Sequence, residues 1–250
     1  MKLLTIDIET SPNLADVWGL WQQNVGLSQL HESQRVLCFA AKWYGQKRVT
    51  FRSEYLDGTE GMFKSAWELL NAADAVIGYN SQGYDVKHLN REFLLQGLGP
   101  PSPFKNIDLF RVVKSRFKFP SYKLDYVAGA VLGENKLETS GHELWKRVLR
   151  DEKKAWQEMK AYNVQDTALT ERLYDALKGW IPNHPNHNLW SEEDKKVCSN
   201  CGSKHIVKDG FYHTNVGKYQ QYRCQNCGAW GRGRENVYRG EERIDVRPAR

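Results

Sequence analysis

The chain has 250 residues, of which 40% are hydrophobic, 12% are aromatic and 26% are charged. This composition is ordinary for a soluble protein with a sizeable core, and the length accommodates one large domain or a medium domain plus a small one. No apolar run approaches the roughly 18 residues of a membrane helix, and the apolar N-terminus is too short for a signal peptide. We therefore expect a cytoplasmic protein with no membrane partner.

Positive charge is concentrated near the C-terminus. The formal net charge is +6. Residues 1–190 hold 24 Lys or Arg against 22 Asp or Glu, whereas residues 191–250 hold 12 against 8. A basic balance favours a polyanion partner such as nucleic acid.

Apolar periodicity predicts an α/β domain in the first part of the chain. Segment 11–32 is irregular, and segment 107–113 is ambiguous between strand and helix. Three early strands followed by strands mixed with helices indicate a mixed sheet flanked by helices. The predicted strands are 3–8, 35–44, 48–55 and 75–79, and the predicted helices are 61–73, 85–96, 124–132 and 153–178.

Four acidic residues and one tyrosine occupy the ends and faces of these elements. Asp7 and Glu9 lie two residues apart on the first strand, so their side chains share one face. Asp85 begins a helix, and Tyr162 and Asp166 are four residues apart on another helix and share its face. Taken singly, each acid has an ordinary alternative: a solvated strand edge, a helix N-cap, or an exposed helix face.

Together these residues match a known pattern. The chain resembles the DEDDy exonucleases, 3′→5′ exonucleases with an RNase H-like fold. The motifs that carry the resemblance are Asp7-Ile8-Glu9-Thr10, Asn80-Ser81-Gln82-Gly83-Tyr84-Asp85, and Tyr162 with Asp166. Segment 123–128 also resembles the helix that the family places between its second and third motifs, and the resemblance spans about residues 1–178. Two features depart from the family: a Trp-rich insert after the first motif, and Tyr84 where many relatives have Phe.

The resemblance implies a two-metal phosphodiester hydrolase. Two Mg²⁺ or Mn²⁺ ions prefer oxygen ligands and would flank one phosphate. Asp7 is expected to bridge both ions, Glu9 and Asp166 to hold the ion that activates water, and Asp85 to hold the ion near the leaving group. Tyr162, with an ordinary pKa of about 10, is expected to orient the attacking water. The expected product is a nucleoside 5′-monophosphate.

Several further residues are candidates for substrate binding. Thr10 and Asn80 belong to the motifs. Lys118 and Tyr122 lie in segment 101–150, which holds 10 Lys or Arg against 5 acids interleaved with aromatic residues, a pattern that suits single-strand binding. The alternative is a solvated basic loop with core aromatics. Trp18, like Trp21, is either a wedge against the substrate or part of the core.

Four cysteines form two Cys-x-x-Cys pairs near the C-terminus. They are Cys198, Cys201, Cys224 and Cys227, with 22 residues between the pairs. This spacing predicts a structural zinc ribbon with one Zn²⁺, and a redox role is the weaker alternative. The remaining cysteine, Cys38, lies in an apolar run and is expected to be a buried core thiol.

Aromatic residues and arginines are mixed around the predicted ribbon. This mixture suits nucleic-acid binding, and a protein-docking surface is the alternative. The residues are Tyr212, Tyr219, Tyr222, Arg223, Trp230, Arg232 and Arg234.

We divide the chain into four parts: an exonuclease domain at 1–178, a linker rich in Pro, Asn and His at 179–194, the zinc ribbon at 195–235, and a disordered tail at 236–250. The predicted function is a metal-dependent 3′→5′ exonuclease that acts on single-stranded DNA ends, alone or with a replication or repair protein as partner. The alternatives are an exoribonuclease of the same fold and a non-catalytic nucleic-acid-binding adaptor.

Overall fold

The structure is a computed structural model that describes residues 1–190 and 196–239. The chain divides into two compact units, one of Lys2–Tyr174 and one of Asp175 onward together with Met1. Residues 191–195 of the predicted linker and 240–250 of the predicted tail lie outside the described residues. The domain boundaries given above therefore remain predictions.

The first unit is built on a five-stranded mixed sheet with strand order β5-β4-β1-β6-β7. The central strand β1 pairs antiparallel with β4 and parallel with β6, while β2 and β3 pair separately from this sheet. The strands are β1 (Leu3–Thr10), β2 (Leu14–Ala15), β3 (Leu30–Glu32), β4 (Val36–Trp43), β5 (Val49–Ser53), β6 (Ala75–Gly78) and β7 (Lys105–Asp108).

Six helices accompany this sheet, and the last of them continues past Tyr174. The predicted mixed α/β architecture is confirmed. Within the described ranges, no helix is both long enough and apolar enough to cross a membrane. The helices are α1 (Glu54–Asn71), α2 (Asp85–Leu95), α3 (Leu109–Arg116), α4 (Leu124–Leu132), α5 (His142–Val148) and α6 (Lys153–Leu177).

Helix α1 begins seven residues before the predicted start at residue 61, so the strand predicted over 48–55 ends too late. The Ser53 hydroxyl accepts a hydrogen bond from the Leu56 backbone N–H at 3.2 Å, which caps the helix N-terminus. Gly58 has φ +67° and interrupts the helix just after this first turn. The glycine explains why helical spacing is evident only from residue 61 onward.

The alternating side chains of β1 separate two apolar layers. Leu4, Ile6 and Ile8 pack in a cluster that includes buried residues of α1 and α2. Residues of β4 on the other side, including the fully buried Cys38, pack with α5 and α6. Since Asp7 and Glu9 alternate with the isoleucines, and Glu9 pairs with Cys38 across the strands, both acids face the α6 side.

The second unit contains a three-stranded antiparallel sheet in the order β10-β9-β8. Its strands are β8 (Ile206–Thr214), β9 (Gly217–Cys224) and β10 (Trp230–Asn236). The segment that precedes β8 forms hydrogen bonds within the same unit: the Asn200 side-chain amide donates to the Lys178 carbonyl at 2.9 Å. A Cβ on Gly179 would lie 2.2 Å from the Cys227 carbonyl oxygen, so only glycine allows this approach.

Candidate active site

Three of the predicted acids converge at one point of the first unit. Asp7 and Glu9 reach it from β1, and Asp166 reaches it from α6. One carboxylate oxygen of each residue lies within 4.8 Å of the others. The face of β1 that carries Asp7 and Glu9 therefore lies next to the face of α6 that carries Asp166.

Asp85 occupies the first position of α2 and is buried, with 5% of its surface exposed. Tyr84, not Asp85, is the N-cap residue of this helix, and it makes no side-chain cap. The Asp85 carboxylate instead accepts a hydrogen bond from the Ile8 backbone N–H at 3.1 Å. Asp85 thus attaches the start of α2 to the strand that carries Asp7 and Glu9.

Burial and mutual repulsion disfavour the charged forms of these acids. Burial, followed by the charges of Glu9, Asp85 and Asp166, raises the pKa of Asp7 well above its ordinary value. Burial is also the largest cause that raises the pKa of Glu9 to about 8 and that of Asp85 to about 7. Crowded carboxylates with raised pKa values are typical of a site that is completed by a cation.

The donor set fits a divalent cation. Among the described residues, the Asp166 Oδ1 atom is buried and has no hydrogen-bond partner, which is costly for a carboxylate oxygen unless a ligand completes it. Carboxylate oxygens are the ligands preferred by Mg²⁺ and Mn²⁺. The three converging acids can therefore hold such an ion.

These pKa shifts predict a pH-dependent stability in buffer free of Mg²⁺ and Mn²⁺. A carboxyl whose pKa is higher in the folded state contributes stability at low pH, and that contribution is lost as pH rises toward the folded-state value. For Glu9, with a folded pKa of about 8, the loss between pH 6 and pH 8 is about 2 kcal/mol. We expect the melting temperature to fall over this range, and Mn²⁺ to reverse the fall. Glu9→Gln should make the fall smaller without abolishing it, because Asp7 and Asp85 also have raised pKa values. A parent melting temperature that does not fall between pH 6 and pH 8 in metal-free buffer would contradict the prediction.

Lys136 is a residue of the site that the sequence pattern did not indicate. Its ammonium group contacts the Asp166 carboxylate in a close ion pair and donates to the Tyr162 hydroxyl at 3.1 Å. Burial alone would lower the pKa of Lys136, but the attraction of Asp166 and Tyr162 raises it above the usual range. Lys136 therefore carries a positive charge that offsets part of the carboxylate repulsion.

Replacing Lys136 by methionine is expected to lower kcat by about 10- to 100-fold, the usual effect of removing a group that orients metal ligands. The variant loses both the charge beside Asp166 and the hydrogen bond to Tyr162. The measurement is kcat across pH and across Mn²⁺ concentration, with the exposed Lys64→Met on α1 as the control. Lys136→Arg should restore part of the rate. A kcat for Lys136→Met within twofold of the parent would show that Lys136 does not contribute to the reaction.

Tyr162 lies one helical turn before Asp166 on α6. Burial and the neighbouring Asp166 charge raise the pKa of Tyr162 to about 12, although Lys136 acts in the opposite direction. The phenol therefore stays protonated at neutral pH. The Trp145 ring packs edge-on against Tyr162 with ring centroids 6.2 Å apart, which restricts where the hydroxyl can point.

Thr10 connects the first two motifs. Its hydroxyl shares a 2.7 Å hydrogen bond with the hydroxyl of Tyr84 and accepts one from the Gln34 amide at 2.8 Å. The Trp145 indole N–H donates to the Thr10 carbonyl at 2.9 Å. A phenylalanine at position 84 would lack the hydroxyl that joins this network. The tyrosine that departs from the family pattern therefore makes a hydrogen bond to Thr10 that phenylalanine could not make.

The predicted substrate residues fall into two groups. Asn80 and Tyr122 line one open cavity of about 490 Å³, and Lys136 also lines it. Lys118 is exposed and is not part of that lining. Trp18 is 97% exposed and Trp21 is 84% exposed, so the alternative that these indoles pack in the core is wrong.

The four ribbon cysteines converge in the second unit. One sulfur of each lies within 4.8 Å of the others, and the Asn226 backbone N–H donates to the Cys224 sulfur at 3.4 Å. Burial acts to raise the pKa of the Cys224 thiol, but backbone N–H groups of Cys227 and Asn226 lower it to about 7. Four thiols that converge in this way fit a structural zinc site.

Comparison with known proteins agrees with this architecture. The family model of the RNase_H superfamily matches residues 25–178. The chain belongs to the RNase_H superfamily. The predicted RNase H-like fold is thus confirmed, and the C-terminal four-cysteine cluster fits the predicted zinc ribbon.

One similar solved structure is the family B DNA polymerase from the hyperthermophilic archaeon Pyrobaculum calidifontis. It matches with a TM-score of 0.55 and 17% sequence identity, over 70% of this chain. This RNase_H superfamily chain spans about a quarter (24%) of that polymerase, and at this identity the likeness concerns the fold. No curated protein sequence matches the chain. The family and the fold together support a nuclease at the superfamily level.

Proposed function

We propose that the chain is a metal-dependent 3′→5′ exonuclease that hydrolyses single-stranded DNA ends to nucleoside 5′-monophosphates. The observation that carries the proposal is the convergence of Asp7, Glu9 and Asp166 within 4.8 Å, with Asp85 attached to the same strand. A scaffold has no need to bury neighbouring carboxylates, because burial is the largest cause that raises their pKa values. The non-catalytic adaptor is therefore the weaker alternative.

The carboxylates would hold two Mg²⁺ or Mn²⁺ ions, with Asp7 as the shared ligand, Glu9 and Asp166 on one ion and Asp85 on the other. Bound ions of this kind lower the pKa of water and stabilise the charge on a leaving oxygen. Tyr162 orients the attacking water as a neutral hydroxyl. Zn²⁺ in the ribbon is structural, since its four cysteine ligands leave no open position.

A single strand suits the cavity beside these acids. Its lining includes the aromatic residues Tyr79, Phe110 and Tyr122 together with Asn80 and Lys136. Unpaired bases stack on aromatic rings. We propose that Asn80 and Tyr122 contact the terminal nucleotides, with Thr10 as a further contact beside Glu9.

Lys118 and Trp18 are proposed to contact the strand farther from its end. Lys118 supplies an exposed cation for phosphates. Trp18 and Trp21 lie in segment 11–34, which contains no Lys or Arg, so they would meet bases and not phosphates. A cytoplasmic location and a replication or repair partner complete the proposal.

The experiment is digestion of matched DNA and RNA oligonucleotides by the full chain with Mg²⁺ or Mn²⁺. A 5′-labelled single strand should give a ladder that shortens from the 3′ end, and a phosphorothioate at the last 3′ linkage should slow it. Faster digestion of RNA would establish the exoribonuclease alternative instead. Binding without digestion of either polymer would establish the adaptor.

A further inference from the structure

The two faces of the ribbon sheet differ in chemistry. The strand register places Arg223 between Val207 and Trp230. Gln221 lies beside Arg232, and Tyr219 beside Tyr212. Because residues two apart on a strand share a face, these rows form one surface. We call it the arginine–aromatic face, and it comprises Tyr212, Tyr219, Gln221, Arg223, Trp230 and Arg232.

The arginines of this face lie against its rings. The Arg232 guanidinium carbon is 4.3 Å from the Tyr219 ring centroid and 5.6 Å from that of Tyr212. The Arg223 guanidinium carbon is 5.3 Å from the Trp230 ring. Cation–π contacts hold the guanidinium groups in place and leave their N–H donors available for phosphate oxygens.

Four of the six residues of this face are exposed, and none of the six is an acid. Trp230 is 50% exposed and Tyr212 is 45% exposed. Among residues 196–239, eight are Lys or Arg and two are Asp or Glu. Within the described ranges, neither Arg223 nor Arg232 forms an ion pair with a carboxylate. Unpaired arginines beside exposed rings complement a polyanion that has bases to stack.

We infer that the arginine–aromatic face binds single-stranded nucleic acid, with Trp230 and Tyr212 stacking on bases and Arg223 and Arg232 contacting phosphates. The inference rests on the proposed function for its choice of a single strand. The rows extend over five residues of β9, about 13 Å. Aromatic residues on a sheet of comparable width stack two or three bases in other nucleic-acid-binding domains.

The opposite face of the same sheet supplies matched controls. Lys208 and Phe211 both lie on that face, opposite Tyr222 and Gln220 of β9, and both are exposed. Lys208→Ala removes one cation, and Phe211→Ala removes one ring, without touching the arginine–aromatic face.

The test measures fluorescence anisotropy with labelled (dT)12, (rU)12 and a blunt DNA duplex. It uses the full chain with Asp7→Asn in Ca²⁺ buffer, so that no strand is hydrolysed. Trp230→Ala should weaken single-strand binding about tenfold with an unchanged salt dependence. Arg223→Ala with Arg232→Ala should also lower the slope of log affinity against log salt by about 1.4, as expected for two phosphate contacts. Lys208→Ala and Phe211→Ala should stay within twofold of the parent.

Zinc content and melting temperature establish that each variant is folded. If Trp230→Ala loses zinc, Tyr212→Ala on the same face is the substitute, with the same expected loss. Equal losses from both faces, unchanged affinity, or an equal loss on the blunt duplex would overturn the inference. An unchanged affinity would indicate that the arginine–aromatic face binds a protein partner instead.

Cleavage of a dinucleotide by the same variants, with Asp7 restored, separates this inference from the proposed function. An active enzyme whose face variants bind normally would refute only the inference. An inert parent whose face variants bind weakly would refute only the exonuclease.

Discussion

Asp7→Asn is expected to lower hydrolysis at least about a thousandfold, because the shared ligand of both proposed ions is lost. The same variant should melt at a higher temperature than the parent in buffer free of Mg²⁺ and Mn²⁺. Burial and the charges of Glu9, Asp85 and Asp166 all raise the pKa of Asp7, so its ionised form destabilises the metal-free fold. The asparagine keeps an oxygen that can accept the 2.7 Å hydrogen bond from Asn163.

Opposite changes in activity and stability distinguish a metal ligand from a structural residue. Substitution of a residue that is needed only for folding would lower both the activity and the stability of the protein. The measurements are cleavage of a 5′-labelled strand and thermal melts with and without Mn²⁺, which should stabilise the parent far more than the variant. Glu60→Gln, at an exposed position of α1, is the control and should change neither quantity. Retained cleavage by Asp7→Asn would remove this carboxylate from the proposed chemistry.

The chemistry of the site is predictable where its residues lie on regular elements. Asp7 and Glu9 share a strand face, and Tyr162 and Asp166 share a helix face, so local periodicity places each pair. The converging carboxylate oxygens of Asp7, Glu9 and Asp166 are consistent with that reading.

Lys136 could not be found in the same way. It lies between α4 and α5, in a segment without strand or helix, so no periodicity predicts where its side chain points. Its backbone N–H donates to the Asp125 carboxylate at 2.9 Å, a contact between residues 11 apart. The signal that would have helped is chemical: crowded carboxylates require a nearby cation, and segment 101–150 is rich in cations.

The boundary between β7 and α3 was hidden because one residue, Asp108, has two roles. Asp108 ends β7 and also caps α3, accepting from the Phe110 N–H at 3.1 Å. It also accepts from the backbone of Asn80 at 2.9 Å, which helps hold that residue at φ +64°. The apolar run 107–113 therefore has its first two residues in β7 and its last five in α3. An apolar run that begins in a strand and ends in a helix shows neither the strand period of two residues nor the helix period of about 3.6 residues clearly.

Cys224→Ser is expected to release zinc and to abolish the ordered sheet β8-β9-β10, while the unit of Lys2–Tyr174 stays folded. The apolar core of the ribbon is small, since its buried cluster consists of Cys198, Cys224 and Ala229 with three partly buried neighbours. Most residues of β8 are exposed. A sheet with so little buried area is expected to depend on the proposed zinc, since structural zinc contributes about 10–16 kcal/mol in small zinc domains.

The loss should be confined to one unit, and hydrogen exchange measured peptide by peptide tests this. Amides of β8–β10 should exchange freely in Cys224→Ser, whereas those of β1 and α6 should stay protected. Cys38→Ser is the crossed control, because Cys38 is fully buried beside Asn163 in the first unit: it should lower the stability of that unit and keep one zinc per chain. Protected ribbon amides in zinc-free Cys224→Ser would show that the sheet folds without metal. Cleavage of a dinucleotide should survive in Cys224→Ser, because the carboxylates of the proposed site all belong to the unit that keeps its fold.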